Sequence, residues 1–147
     1  ILAISLIDEG DNYEYFCHKY KVSNDLKKYL ESMSKLYKEY KSNKFFFLKN
    51  FKEKIYFSGK EMLKKLAIFI FFEKNKLKIH DLDLIFKNIQ QTALPKFPYD
   101  GKYLKDKGFK EGKQVGYALK ELEMTWIKNN CNLSEKDAMI LLKKIQN

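Results

Sequence analysis

The sequence predicts an all-α protein, an array of about seven or eight helices. Apolar residues recur at steps of three and four along most of the chain, and acidic or hydroxyl side chains stand at the start of several of these stretches. Both prolines and four of the six glycines are confined to residues 94–117. With 147 residues, 45% of them hydrophobic, the chain has enough apolar material for one or two small domains.

The first predicted helix begins after Ser23, whose side chain can accept a hydrogen bond from the backbone of the first turn. Its apolar face consists of Leu26, Leu30, Met33, Tyr37 and Tyr40. A second amphipathic helix is predicted from Lys44 to Phe57, because aromatic residues and isoleucine alternate with lysine at helical spacing. Gly59 is expected to end it.

Two interpretations are open for residues 61–74, which contain the apolar run LAIFIFF. The run could form a buried strand, but its apolar residues keep helical spacing over a segment longer than most strands, which favours a buried helix. Asp81 and Asp83 open the next helix, where carboxylates stabilise the positive end of the dipole. The apolar face of that helix consists of Leu82, Ile85, Phe86 and Ile89.

A domain boundary is predicted where glycine and proline become concentrated. We therefore expect one domain over residues 1–92 and another over residues 93–147. In the second domain a short helix is joined to a long one by a glycine-bounded turn with the spacing of a helix-hairpin-helix. The apolar face of the long helix consists of Val115, Leu119, Leu122 and Trp126. Ser134 is expected to open a last helix that runs through Ile145.

The chain begins at Ile1 rather than methionine, and ILAISLI is typical of the end of an apolar helix face. We therefore expect a fragment, truncated at its N-terminus. A signal peptide is the alternative, but no basic segment precedes the apolar run and no small-residue cleavage site follows it. No apolar run approaches the roughly 20 residues of a membrane span. Because Cys17 and Cys131 are the only cysteines, we expect a protein of the reducing cytoplasm.

The formal net charge is +10, and all 29 basic residues are lysine. Such a charge favours an anionic partner, and nucleic acid is the commonest one for a soluble intracellular chain. The alternative is a genome biased toward A and T, because asparagine, isoleucine, phenylalanine and tyrosine are abundant as well. Net charge alone does not separate these two origins of the lysine excess.

No catalytic or metal site is predicted. Asp81 and Asp83 resemble the acid-x-acid pair that holds divalent metal in nucleotidyl transfer, but residues two apart on a helix point in different directions. His18 lies beside Cys17, yet neighbours on a helix diverge by about 100 degrees. The chain also has no close CxxC or HxxxH pair of the kind that binds zinc. Aromatic residues make up 16% of the chain and coincide mainly with the predicted core faces.

The predicted binding site is the turn before the long helix. Gly112 lets the backbone approach a ligand, and the N–H groups of Gly112, Lys113 and Gln114 lack intrahelical acceptors and can bind a phosphate. The lysines close to this helix start are Lys102, Lys105, Lys107, Lys110 and Lys113. Together they favour a polyanion. The alternative is a solvated turn in which the glycines serve helix packing.

The same segment resembles the C-terminal signature of class II CCA-adding tRNA nucleotidyltransferases, of the alphaproteobacterial and mitochondrial type. Those enzymes carry a progression of FPxxGxDL, G, GxxxG and LxxLxxxW. The matching residues are Phe97, Pro98, Gly101, Leu104, Gly108, Gly112, Gly116, Leu119, Leu122 and Trp126. Tyr103 stands where the family usually has aspartate. Upstream, FKEKIYFSGKEMLKKLAIFI is similar to the family's body segment, with lysines in place of arginines.

The resemblance implies a body-like helical RNA-binding domain over residues 1–92 and a tail-like helical domain over residues 93–147. These would hold the tRNA elbow while a separate catalytic head, N-terminal to this chain, adds CCA with Mg²⁺, CTP and ATP. No cofactor and no catalytic residue is expected within the chain itself. The alternative function is a helical protein-interaction or structural module with no RNA role, and a third is an autonomous enzyme built on Asp81 and Asp83.

Overall fold

The computed structural model describes residues 10, 12–73, 77–110 and 112–146. Within these ranges the chain forms eight helices and no strand, which confirms the predicted all-α class. The helices are α1 (Asn12–Tyr20), α2 (Asn24–Ser42), α3 (Phe51–Ser58), α4 (Lys60–Phe72), α5 (Ile79–Gln91), α6 (Gly101–Asp106), α7 (Lys113–Lys128) and α8 (Glu135–Gln146). They divide into two compact units, unit 1 (residues 1–92) and unit 2 (residues 93–147). The helix end predicted at ILAISLI lies outside the described residues.

Two of the helices begin at the hydroxyl residues that the sequence indicates. The Oγ of Ser23 accepts a hydrogen bond from the N–H of Leu26 at 3.3 Å, at the start of α2. The Oγ of Ser134 accepts one from the N–H of Asp137 at 3.2 Å, at the start of α8. Each bond replaces an acceptor that the first turn of a helix lacks. The predicted starts of both helices are therefore confirmed.

The helix predicted from Lys44 to Phe57 is wrong in its first half. α2 ends at its C-cap, Asn43, whose Oδ1 accepts a hydrogen bond from the N–H of Phe45 at 2.9 Å. α3 begins only after Asn50, whose φ of 53° is left-handed. Asparagine side chains compete with the helix for backbone hydrogen bonds, and asparagine tolerates left-handed backbone better than most residues. Two asparagines therefore put a turn where lysine and phenylalanine spacing alone predicts a helix.

The core of unit 1 is centred on α4, which packs on α2, α3 and α5. α4 contains the LAIFIFF run, and its predicted helical structure is confirmed, with Leu63, Leu66 and Ile70 fully buried. The ring of Tyr37 on α2 meets Phe69 edge-on, with 5.3 Å between centroids. Burial from several sides explains why this segment is apolar around much of its circumference. None of the described helices combines the length and apolarity that a membrane crossing requires.

Unit 2 consists of α6, α7 and α8, with α7 packed on the other two. Its buried core residues are Leu104, Phe109, Ala118, Leu122, Ala138 and Leu142. Before α6, the hydroxyl of Tyr99 donates a hydrogen bond to the carbonyl oxygen of Leu133 at 3.0 Å, and the ring of Phe97 packs edge-on against Trp126 at 5.4 Å. The proline-containing segment is thereby fixed to α7 and to the loop before α8. The helix-hairpin-helix geometry of the α6–α7 turn stays a prediction.

Candidate nucleic-acid interface

The turn that follows α6 is held by two buried side chains, one on each side of it. Asp100 caps α6 by accepting a hydrogen bond from the N–H of Tyr103 at 2.9 Å. At the other end, the N–H of Phe109 donates to the carbonyl oxygen of Leu104 at 3.1 Å, and both side chains are buried in the core of unit 2. Gly108 between them has a φ of 88°, the left-handed backbone with which helices commonly end. The turn toward α7 is thus anchored from the core side.

Gly112 is exposed directly before α7 and has a φ of 111°. It has no side chain to cap the helix, and its carbonyl oxygen accepts a hydrogen bond from the N–H of Gly116 at 3.3 Å. The first N–H groups of a helix have no intrahelical acceptor, and Lys113 and Gln114 are exposed as well. The helix dipole adds partial positive charge at this end. The three residues that carry the predicted backbone donors therefore lie at the surface, and phosphate binding by their N–H groups stays a prediction.

Four of the five predicted lysines are exposed, and Lys107, which is partly buried, forms contacts within unit 2. The exposed ones are Lys102, Lys105, Lys110 and Lys113. Lys107 lies 3.3 Å from Glu135 in an ion pair, and its Nζ stands 5.4 Å from the centroid of the Tyr103 ring. Lys107 therefore links α6 to α8.

The carboxylates considered as a metal pair lie in the first turns of α5 and have separate partners. Asp81 accepts a hydrogen bond at 3.2 Å from the backbone N–H that precedes the helix, which is the role of a helix-start residue. Asp83 forms an ion pair with Lys87 at 2.8 Å. Cys17 is buried whereas His18 is exposed. Among the residues that the structure describes, no group of three or more His, Cys, Asp or Glu side chains could hold a metal ion.

A second candidate surface lies in unit 1, and sequence reasoning misses it. A cavity of about 270 Å³ is lined by Phe47, Leu48, Phe51, Asn88, Gln91 and Thr92. Phe47 and Phe51, which lie on a predicted core face, are only partly buried. Asn88 and Gln91 are three apart on α5, so they share a face of the helix. The spacing of these two amides is the one feature of the sequence that could have indicated this surface. The phenylalanines face them because of the turn between α2 and α3, which the sequence does not predict.

The family described as tRNA nucleotidyltransferase domain 2 matches residues 1–142 of this chain. The human and mouse proteins named CCA tRNA nucleotidyltransferase 1, mitochondrial, are each 27% identical to it over 135 residues, covering 85% of this chain. The chain spans 31% of the length of these relatives. No solved structure matches it significantly. Because the family match extends over nearly all of the sequence, the predicted resemblance is confirmed: the chain belongs to the tRNA nucleotidyltransferase domain 2 family.

Proposed function

We propose that this chain is the C-terminal, tRNA-binding part of a CCA tRNA nucleotidyltransferase. It would hold the elbow of tRNA while a separate head domain adds CCA to the 3′ end, with Mg²⁺, CTP and ATP bound in the head. The activity is the one that the names of the human and mouse relatives state. The observation that carries the proposal is the exposed start of α7, in a segment whose exposed lysines are Lys102, Lys105, Lys110 and Lys113.

This surface suits contacts to phosphate. Lysine ammonium groups are compact charges on flexible stems, which bind phosphate as point charges rather than with a fixed geometry. The backbone N–H groups at the start of α7 add donors of the kind that bind phosphate oxygens at helix starts. Contacts to the sugar-phosphate backbone position a protein without reading bases. Unit 2 would therefore recognise RNA by shape and charge, as proteins do for paired RNA.

In this proposal unit 1 is the body-like RNA-binding domain. We also propose that the protein works in the cytoplasm. Cys17 and Cys131 form no disulfide, which fits a reducing compartment such as the cytoplasm. The human and mouse relatives are named as mitochondrial. Expression of the tagged chain in its source cells, followed by fractionation, would decide between the two compartments.

Charge reversal on the unit 2 surface tests the proposal. The variant carries Lys102→Glu, Lys105→Glu and Lys110→Glu, and its affinity for a tRNA transcript is measured by filter binding at low salt. A matched control carries Lys27→Glu, Lys28→Glu and Lys128→Glu, which are exposed elsewhere and change the net charge by the same amount. We expect the first variant to weaken binding by about tenfold or more and the control to weaken it far less.

Two results would count against tRNA binding by the lysines of unit 2. Equal losses in the test and control variants would show that tRNA responds only to the overall charge of the chain. Unchanged affinity in the test variant would remove RNA binding from this surface altogether. Because all six substituted lysines are exposed, we expect both variants to retain their helices, and circular dichroism of each variant checks this.

A protein-interaction module is the second candidate function, and exposed apolar side chains favour it. Phe72 at the end of α4 is 78% exposed and Ile79 at the start of α5 is 69% exposed. Large exposed apolar side chains are often found at protein interfaces when they form a contiguous patch. If the lysine variant binds tRNA normally, co-purification with the catalytic head would become the deciding measurement.

A further inference from the structure

The cavity in unit 1 has one aromatic wall and one wall of carboxamides. Phe47, Leu48 and Phe51 line it from the turn after α2 and the start of α3. Asn88, Gln91 and Thr92 line it from the last turn of α5. Its volume of about 270 Å³ is below the roughly 300–1,000 Å³ of sites for drug-sized ligands. A small ligand therefore suits it better than a large cofactor.

The aromatic wall is built on a fixed turn. Phe46, only 1% exposed, anchors the turn in the core, and its ring meets that of Phe47 edge-on at 4.9 Å. Lys54 holds the turn from the other side, because its Nζ donates to the carbonyl oxygen of Lys49 at 3.0 Å and lies 3.3 Å from Glu39. A preorganised aromatic face loses little conformational entropy when a ring stacks on it.

The opposite wall offers both donors and acceptors. Within the described part of the chain, the carboxamides of Asn88 and Gln91 form no hydrogen bond to another residue. Thr92 is fixed, since its hydroxyl donates to the carbonyl oxygen of Asn88 at 2.7 Å and its N–H donates to the same oxygen at 3.0 Å. An amide that presents N–H₂ and C=O together can pair with the edge of a base, and adenine is its usual partner.

The surroundings favour a ligand that also carries phosphate. Residues 44–54 contain the lysines Lys44, Lys49, Lys52 and Lys54 and a single acid, Glu53. Lys44 and Lys49 are exposed, and the Nζ of Lys49 stands 4.9 Å from the centroid of the Phe45 ring. An aromatic face beside ammonium groups is the combination with which proteins bind unpaired nucleotides.

We propose that this cavity binds one unstacked nucleobase of a nucleotide, adenine by preference. The base stacks on the phenylalanine side, its edge pairs with the carboxamides of Asn88 and Gln91, and its phosphate lies toward the lysines of the turn. The site is separate from the phosphate surface of unit 2. The base that occupies the cavity comes either from an RNA strand or from a free nucleotide. Only the first of these two sources rests on the proposed tRNA-binding function.

The test is a titration of the 147-residue chain with AMP, monitored by ligand-detected NMR. Ribose 5-phosphate, which lacks the base, is the ligand control. The variant Asn88→Ala with Gln91→Ala removes both carboxamides, and Phe47→Leu removes one of the two aromatic rings of the wall, that of Phe47, while keeping apolar bulk. Gln90→Ala is the matched control, because Gln90 is an exposed amide on the same helical turn and does not line the cavity.

The expected result is that AMP binds weakly and that the double variant raises its Kd by at least about fivefold. Phe47→Leu should raise the Kd as well, and Gln90→Ala should leave it unchanged. Equal binding of ribose 5-phosphate, or an unchanged Kd in the double variant, would overturn the proposal. A short oligoadenylate that binds more tightly than AMP assigns the base to an RNA strand, whereas equal binding assigns it to a free nucleotide.

The two proposed sites fail independently in these measurements. The variant with Lys102→Glu, Lys105→Glu and Lys110→Glu leaves the cavity intact, so it should bind AMP as the parent chain does. If AMP binding is absent but this variant loses tRNA, the phosphate surface stands and the base site does not. Loss of AMP binding in this variant would itself overturn a separate base site.

Discussion

Lys54 is a buried lysine in a chain whose other lysines are mostly at the surface. Its side chain is 8% exposed, and its Nζ stands 4.9 Å from the centroid of the Phe46 ring, in addition to its contacts with Glu39 and the Lys49 carbonyl. The stem of a lysine can be buried if the ammonium group finds partners. These contacts make Lys54 the link between α2, the following turn and α3.

Replacing Lys54 by methionine should lower the free energy of unfolding by about 1–3 kcal/mol, because the apolar stem is kept while the buried hydrogen bond and ion pair are lost. Urea denaturation monitored by circular dichroism measures the change. Lys35→Met is the control, since Lys35 pairs with Glu31 with 73% of its side chain exposed, and exposed pairs contribute only about 0–1 kcal/mol. Equal effects of the two substitutions would contradict the linking role of Lys54.

The buried hydroxyl of Tyr37 is expected to make the free energy of unfolding fall at alkaline pH. Burial raises the pKa of its hydroxyl above the ordinary value of 10.0, and a hydrogen bond with Glu73 raises it further. The unfolded chain therefore ionises first, and stability that is complete below pH 10 is lost as the pH rises through the pKa of the folded state. Melting temperatures compared between pH 8.5 and pH 11 should show that Tyr37→Phe loses less stability than the parent chain. Parallel losses would mean that Tyr37 does not contribute.

At the scale of single residues, the sequence predicts which lysines are close to the α7 start but not how each is used. Lys107 and Glu135 are 28 residues apart, and no local pattern reveals an ion pair over that separation. Tyr103 likewise stands where the resemblance leads one to expect aspartate, and its ring packs against that of Tyr99 in a tilted geometry, with 4.8 Å between centroids. Long-range side-chain partners of this kind require the folded chain.

Among the elements, the helices with the clearest apolar spacing are those that the sequence predicts best. α2, α4, α5, α7 and α8 all form where that spacing predicts them. The beginning of α3 is displaced, because Asn43 and Asn50 form local hydrogen-bonded and left-handed backbone that periodicity does not register. The base-binding cavity depends on that turn, so the same error hides it from sequence reasoning.

Gly112 and Gly116 make a matched pair for testing the start of α7. An added Cβ would meet no atom within 4 Å at either position, so only backbone conformation separates them. Gly112 has a φ of 111° and ψ of −146°, a region almost restricted to glycine, whereas Gly116 lies within the helix. Gly112→Ala should therefore destabilise unit 2 by about 1–3 kcal/mol, and Gly116→Ala should stabilise it by up to about 1 kcal/mol.

Trp126 provides the measurement for this pair, because it is the single tryptophan of the chain and is buried in unit 2. Its fluorescence during urea unfolding reports on unit 2. Opposite signs for the two alanine variants would support a backbone conformation at Gly112 that glycine adopts without strain and alanine does not. A neutral Gly112→Ala variant would show that the turn before α7 relaxes to accept a side chain without cost.

At the scale of the whole molecule, the net charge of +10 has two possible origins, recognition or codon usage. Lysines acquired through codon usage have no reason to cluster, whereas recognition concentrates them where a phosphate chain passes. Residues 102–113, which lead into α7, contain five lysines, of which four are exposed. Salt dependence separates the two origins, because each lysine that contacts a phosphate releases counterions on binding.

The dependence of tRNA affinity on salt concentration should change when the lysines before α7 lose their charge. Lys102→Gln, Lys105→Gln and Lys110→Gln together remove three charges without introducing repulsion, and the slope of log Kd for tRNA against log salt concentration should fall by roughly two to three. Glutamine at Lys27, Lys28 and Lys128 should leave the slope close to that of the parent chain, because these residues belong neither to α6 nor to the segment that joins α6 to α7. A parent slope that responds equally to both sets would mean that tRNA binds through charge spread over the entire surface. A slope that responds to neither would mean that tRNA binding does not depend on phosphate contacts by these lysines.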